Sequence, residues 1–179
     1  RGPIEAVDGE PIESGALYPA IFFSYMLRLI YRLLFLNVVE ERGLIFPRGT
    51  PAARLHTYFG YYSVQRLRRL ARTRGLRTER HHDAWLALLS TFQIFERPEQ
   101  AAKLGTTAFG GQLFDPESLG LLSDCRLSNA SFFHALDRLC SFDDPKTHQR
   151  LPVNFGALAT EEFGSVYESL LELHPVIET

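Results

Sequence analysis

The residues with the clearest chemical character are arginines that recur every three positions, at Arg66, Arg69 and Arg72. They fall in a predicted helix over residues 61–74, whose apolar side is formed by Tyr61, Val64, Leu67 and Ala71. A row of exposed guanidinium groups is suited to contacting nucleic-acid phosphates. The same row is also typical of a solvated helix face that pairs with acidic neighbours, so two interpretations remain open.

The charge distribution along the chain is uneven. Eight arginines and one acid lie between Arg54 and Arg80, which gives this segment a local charge of +7, although the whole chain of 179 residues carries −2. Residues 81–179 contain six basic and fourteen acidic residues. The arginine segment is therefore the candidate DNA-contacting part, and the acidic remainder is its candidate internal partner.

Three other motifs favour structural roles. Neighbouring residues on a helix point about 100° apart, so His81, His82 and Asp83 do not converge on one metal ion. His134 is predicted to be a packed or edge residue on a helix. The pair Gly110 and Gly111 lacks the strand-turn-helix context of a phosphate loop and indicates a turn.

A literal match to a nuclease motif also occurs. Metal-dependent nucleases use Asp/Glu-x-Lys on a strand, and Asp144-Pro145-Lys146 has that spacing. The proline opposes a central strand, and the motif falls in a predicted loop, which favours coincidence. We therefore predict no catalytic, cofactor-binding or metal-binding residue in this chain.

The cysteines and the apolar content bound the class of protein. An apolar fraction of 45% is typical of a globular domain, and two cysteines, Cys125 and Cys140, form neither a disulfide framework nor a zinc pattern. Together with a first segment that does not resemble a signal peptide, this favours a cytoplasmic location.

Residues 17–39 are almost continuously apolar over the width of a bilayer. Arg28 and Arg32 lie in the middle of this stretch, and each would cost roughly 2.5–3.5 kcal/mol to insert. The sequence therefore favours the central helix of a bundle over a membrane span. We expect both arginines to be partnered by carboxylates from the acidic second half.

The hydrophobic periodicity predicts an all-α fold, an irregular bundle of about five helices with long loops and at most a very short strand pair. The predicted helices cover residues 19–42, 61–74, 81–95, 129–142 and 161–173, with a short helical turn in 117–124. Residues 101–116 and 143–152 are predicted to be loops, and 153–155 a very short strand or extended segment. One core is expected to contain Trp85, Phe92, Phe133, Leu136, Val166 and Leu170.

The domain boundaries follow from the same pattern. Residues 1–16 are polar, contain Pro and Gly, and indicate a linker or trimmed end, so the helical domain is placed at residues 17–179. The last predicted helix is strongly specified, with Thr160 as its expected cap and Pro175 as its stop. Because it lies so close to Thr179, we expect this chain to be part of a larger protein.

Three segments also carry a resemblance to a known family. Val153-Asn154-Phe155, Leu158 and the run from Gly164 to Leu171 resemble the segment that leads into the catalytic domain of large bacterial DNA adenine methyltransferases, the type IIG restriction-modification enzymes and their relatives in the BREX and DISARM phage-defence systems. Residues 31–36 with 40–44 resemble the first long helix of that region, and residues 110–114 its glycine loop. Phe155 and Phe163 replace the expected Tyr and Leu.

The resemblance implies a non-catalytic helical scaffold or spacer within a site-specific adenine methyltransferase, next to the methyltransferase domain and other flanking domains. S-adenosylmethionine would then be the cofactor of the parent protein, with none bound by this piece. The chain itself contains neither Gly-x-Gly nor Asn-Pro-Pro-Tyr, the motifs of that catalytic domain. The alternative is a stand-alone α-helical protein-interaction domain without a nucleic-acid role.

Overall fold

A computed structural model describes residues 17–172 of the chain. Seven α-helices and one two-stranded antiparallel sheet occur in this part: α1 Leu17–Glu41, α2 Ala52–Thr57, α3 Val64–Ala71, α4 Asp83–Glu96, α5 Pro98–Leu104, α6 Asn129–Leu139, β1 Ser141–Asp143, β2 Arg150–Pro152 and α7 Thr160–Leu171. A π-helical turn covers Tyr58–Tyr62, and 3₁₀ turns cover Arg74–Leu76, Gln112–Phe114, Gly120–Ser123 and Phe155–Ala157. The predicted all-α class with a very short strand pair is confirmed.

Helix α1 is the central element of the bundle. It contacts α3, α7 and the 3₁₀ turns at 112–114, 120–123 and 155–157, and it contributes Leu36, which has no exposed surface. Among the described helices, Pro19–Glu41 is the one that is long and apolar enough to cross a membrane by length and composition, with 44% of its most apolar window buried inside the protein. The core helix of a bundle meets the same criteria, so this finding is weak by itself.

The core joins α1, α3, α4 and α6 through aromatic and aliphatic side chains. Of the predicted core residues, Trp85, Phe92, Phe133 and Leu136 are buried, and Leu170 packs against the core from a half-buried position. The prediction for Val166 was wrong, because this side chain is 37% exposed. The structure does not describe the side chains of the other large apolar residues on this helix, Phe163, Tyr167 and Leu171.

Helices α3 and α5 differ from the prediction for identifiable reasons. Ser63 is extended, and its hydroxyl accepts the backbone N–H of Arg66, so α3 begins at Val64 rather than at 61. The predicted loop at 101–116 overlaps α5, a helix that was not predicted, which has Pro98 in its first turn and Gly105 in a left-handed conformation after its end. Both are standard helix-end features, but they enclose a helix too short to show a periodic pattern.

The predicted loop at 143–152 is instead part of a β-hairpin. Helix α6 ends at Leu139, before the predicted boundary at 142, and Phe142 then pairs with Leu151 across the two strands. Asp144 shapes the turn, because its carboxylate accepts hydrogen bonds from the Lys146 N–H and the Thr147 hydroxyl. The 153–155 segment follows β2 and leads into a 3₁₀ turn.

The start of α7 also differs in detail. The helix begins at Thr160, so Ala159 holds the cap position that was predicted for Thr160. Glu162 compensates by accepting the backbone N–H of Ala159 at 2.7 Å. The predicted stop at Pro175 lies outside the described residues.

Arg32 of α1 is fully buried and holds the loop that follows α5. Its guanidinium donates to Glu96 at 2.5 Å, to the carbonyls of Leu113 and Asp115, and to the hydroxyl of Ser118. The carboxylate partner expected from the acidic half is therefore present for Arg32. It is absent for Arg28, which is exposed and donates to the Ser118 carbonyl among the described residues.

Candidate functional site

The position of the arginine helix α3 is set by a buried carboxylate at the end of α1. Glu40 accepts the backbone N–H groups of Val64 and Gln65, at 2.8 and 2.9 Å, and the hydroxyl of Tyr58 at 2.8 Å. Burial raises the pKa of Glu40 to about 7, although the donated hydrogen bonds act in the opposite direction. Glu40 therefore takes up two backbone donors that the first turn of α3 leaves free.

The next residue of α1, Glu41, fixes one arginine of α3. Arg68 donates to the Glu41 carboxylate at 2.5 Å, to the Asn37 side chain at 2.9 Å and to the Val153 carbonyl at 3.2 Å. Its guanidinium also lies 5.0 Å from the centre of the Phe155 ring. Arg68 thus connects α1, α3 and the segment that enters the last 3₁₀ turn.

Glu41 also holds that turn in place. Its second carboxylate oxygen accepts the N–H of Gly156 at 2.8 Å, while Asn154 Oδ1 accepts the N–H of Ala157 at 3.2 Å. Arg42 donates to the carbonyls of Gly156 and Leu158. The 154–158 segment therefore forms a fixed wall opposite α3.

An open polar cleft of about 410 Å³ lies between α3 and this wall. We call it the arginine cleft, and its lining residues are Glu41, Gln65, Arg68, Arg69, Arg72, Asn154 and Gly156. The four α3-side residues occupy positions i, i+3, i+4 and i+7, which is one face of a helix. Three guanidinium groups against one carboxylate leave the lining with a net charge of +2.

The structure brings together two of the three arginines predicted to contact phosphates. Arg69 and Arg72 line the cleft and are exposed, whereas Arg66 lies outside the lining and is half-buried. Among the described residues none of the three forms an ion pair, and the one side-chain contact is a long 3.5 Å hydrogen bond from Arg69 to the Phe59 carbonyl. The three-residue repeat drifts around the helix, which is why Arg66 falls to one side.

Arg68 is the cleft residue that sequence reasoning missed. It belongs to the i, i+3, i+4, i+7 set that starts at Gln65, and this spacing was visible in the sequence. The prediction followed the three-residue spacing of Arg66, Arg69 and Arg72, and Arg68 does not lie on that spacing. The contact with Glu41 joins residues 27 positions apart, so no local pattern shows that pairing.

Two other arginines of the positive segment are engaged by residues outside the cleft. Arg77 pairs with Asp137 of α6 at 3.3 Å, so part of the segment meets the acidic half as the alternative interpretation expected. Arg54 packs against Gly105, where an added Cβ would collide with the guanidinium. The local charge of +7 therefore overstates the number of arginines that are free to contact a ligand.

The motifs interpreted as structural lie at helix starts, at turns and on an exposed helix face. Asp83 accepts from the Asn129 side chain at 2.9 Å, and Asn129 in turn accepts the N–H of Ala84, which joins the starts of α4 and α6. His134 is exposed on α6, an edge position. Gly111 has a φ of +94° at a turn, a conformation that favours glycine.

Asp144 and Lys146, which belong to the nuclease-like motif, share the hairpin turn, where hydrogen bonds lower the pKa of the Asp144 carboxyl.

Within residues 17–172 no cluster of three or more His, Cys, Asp or Glu side chains is arranged to hold a metal ion. Both cysteines are free, with Cys125 exposed and Cys140 buried. Burial raises the pKa of the Cys140 thiol to about 11, so it is a poor nucleophile. The lining of the arginine cleft carries a net positive charge, which is suited to an anionic ligand.

No family model, curated protein or solved structure matches this chain.

Proposed function

We propose that this chain is a non-catalytic helical scaffold segment of a cytoplasmic site-specific DNA adenine methyltransferase or restriction-modification enzyme, and that Arg66, Arg69 and Arg72 contact DNA phosphates. The proposal rests on the sequence resemblance and on the arginines of α3. In the parent protein the methyltransferase domain would carry S-adenosylmethionine. This segment would hold that domain against its neighbours.

The observation that carries the DNA part is the unpaired state of Arg69 and Arg72. Both are exposed on one side of α3, and neither meets a carboxylate among the described residues. The nearby acid Glu41 is already committed, since one of its oxygens accepts from Arg68 and the other from Gly156. Free guanidinium groups at the surface attract phosphates.

The direct test is DNA binding as a function of salt. The full chain should bind duplexes of unrelated sequence equally, with a Kd of about 10⁻⁴–10⁻⁶ M at physiological salt. Changing Arg66, Arg69 and Arg72 together to Ala should weaken binding to all duplexes and flatten the dependence of log K on log salt, by roughly 0.9 per lost phosphate contact. Unchanged binding by the triple variant, or none by the wild type at low salt, would count against the DNA role.

A second test concerns the absence of catalysis in this segment. Because the sequence lacks both methyltransferase motifs, calorimetric titration with S-adenosylmethionine should show no saturable heat. Clear binding would mean that the cofactor site lies in this chain and that the scaffold assignment is wrong.

A protein-interaction domain is the second candidate, and exposed apolar side chains favour it. Phe142 and Leu151 face each other across the hairpin with 50% and 36% of their surfaces exposed, and Tyr61 is 63% exposed. Such residues are typical of protein interfaces. In that case Phe142→Ser should abolish partner binding, while the arginine variants leave it unchanged.

A further inference from the structure

The arginine cleft differs from a flat charged helix face in that it has a second wall. Gln65, Arg69 and Arg72 approach from α3, and Asn154 approaches from the opposite segment. The Asn154 Oδ1 atom is used by the Ala157 N–H, but its Nδ2 group donates to no described residue. Donors therefore lie on both sides of the same space.

The acid in the cleft does not cancel its attraction for an anion. Glu41 has both carboxylate oxygens occupied, one by Arg68 and the other by the Gly156 N–H. Arg68 is correspondingly committed, with its side chain 13% exposed. The charge left for a ligand is therefore that of Arg69 and Arg72, which are the two exposed arginines of the lining.

The size and opening of the cleft restrict the ligand. A volume of about 410 Å³ is larger than a phosphate group alone and falls within the range of small-ligand sites. The lining is polar, without an apolar floor for a base or a lipid chain. A tetrahedral oxyanion with a polar substituent is the chemistry that two guanidinium groups and a side-chain amide match.

We propose that the arginine cleft is a site for a single phosphate group, bound between Arg69, Arg72 and Asn154. This inference rests on the proposed function for the source of the phosphate, which is a DNA backbone phosphodiester that enters the cleft. Arg66 lies outside the cleft, so any phosphate that it contacts is a different one. DNA binding would then depend on one defined pocket and not on the three arginines equally.

Two double variants of the full chain that remove the same charge test the proposal. Arg69→Gln with Arg72→Gln empties the cleft of its free cations, while Arg74→Gln with Arg80→Gln removes two exposed cations outside it. Fluorescence anisotropy with a labelled duplex should show about a tenfold or greater loss for the cleft variant and less than about twofold for the control. Equal losses would overturn the cleft and leave a diffuse arginine face.

A titration with inorganic phosphate distinguishes a DNA phosphodiester from a free phosphate compound as the ligand. Titrated into the ¹⁵N-labelled chain in a phosphate-free buffer, it should produce saturable shifts at the amides of Asn154 and Gly156 that the cleft variant lacks. Shifts spread over all exposed arginines, or no saturation, would contradict the site. Saturable phosphate binding without any duplex binding would support the cleft and reject the DNA role, since a free phosphate compound would then be the ligand.

Discussion

Arginines occur in two contrasting environments in this molecule. Arg32 is fully buried, and its Nε and both Nη atoms each donate to a named oxygen, with the rings of Phe92 and Phe114 each 5.1 Å away. Arg69 and Arg72 instead lie at the edge of an open cleft without a carboxylate partner among the described residues. The same side chain is therefore used once to hold the fold together and once in a position where its donors remain available.

The difference shows how arginines of the fold can be distinguished from arginines of a site. A buried guanidinium must have its donors satisfied, because an unpaired buried charge costs several kcal/mol. An exposed guanidinium carries no such requirement, so its free donors contribute little to folding and are open to a ligand. Predicted effects on stability should therefore be large at Arg32 and small in the cleft.

The largest expected effect is the loss of the Arg32 cluster. Arg32→Met leaves Glu96 buried without its partner and frees the 113–118 segment, so the free energy of unfolding should fall by about 3–5 kcal/mol. Urea denaturation of the full chain measures this loss. Arg28→Met is the matched control on the same helix, because Arg28 is exposed and makes one side-chain hydrogen bond within residues 17–172, to the Ser118 carbonyl. Similar losses of unfolding free energy in the two variants would contradict the distinction between buried and exposed arginines.

An intermediate effect is expected at Glu40, the buried acid that positions α3. Glu40→Gln retains the shape but turns an NH₂ group toward donors, so it should destabilise the protein at pH 5 by about 1–3 kcal/mol. The pKa of Glu40 is raised from 4.5 to about 7, so the folded state binds more protons than the unfolded state between those values. The advantage of the wild type over Glu40→Gln should therefore be greatest near pH 4.5 and shrink as pH rises to 7.

Urea unfolding of both proteins at pH 5, 6, 7 and 8 tests this expectation. The comparison isolates the contribution of Glu40 to the pH dependence of stability, because every other titrating group is present in both chains. A difference between wild type and variant that is constant across the series, or that grows toward pH 7, would show that folding does not raise the pKa of Glu40.

The elements with long periodic patterns could be predicted from the sequence, and the short ones could not. Helices α1, α4 and α6 were placed correctly because each buries a continuous apolar stripe. Helix α5 and the β-hairpin are too short for periodicity, and their ends are defined by Gly105 and by the turn at Asp144. Val166 was placed in the core by helical spacing alone, although spacing identifies a face and not what covers it.

The candidate site was predictable only in part for a related reason. The charge cluster and the exposure of Arg69 and Arg72 follow from the sequence of α3 itself. The second wall of the cleft comes from Asn154 and Gly156, more than eighty positions away, and its geometry depends on Glu41. The spacing of residues along the sequence does not show that these two segments pack beside each other.

The smallest stability effect is expected in the cleft itself. The double change Arg69→Gln and Arg72→Gln should alter the free energy of unfolding by less than about 0.5 kcal/mol, because both side chains are exposed and unpaired. Arg68→Gln, a change in α3 that breaks the pair with Glu41 of α1, should cost about 1–2 kcal/mol. Thermal denaturation compares the two. A cleft double variant as unstable as Arg68→Gln would show that Arg69 and Arg72 belong to the fold.

The measurement that tests the phosphate cleft most directly changes its charge without touching an arginine. Asn154→Asp keeps the oxygen that accepts the Ala157 N–H but adds a negative charge opposite Arg69 and Arg72. Gln93→Glu makes the same change of charge at an exposed position on α4 outside the cleft. In duplex-binding titrations at low salt, Asn154→Asp should weaken affinity about fivefold or more and Gln93→Glu less than about twofold. Equal effects of the two variants would contradict a phosphate site in the arginine cleft.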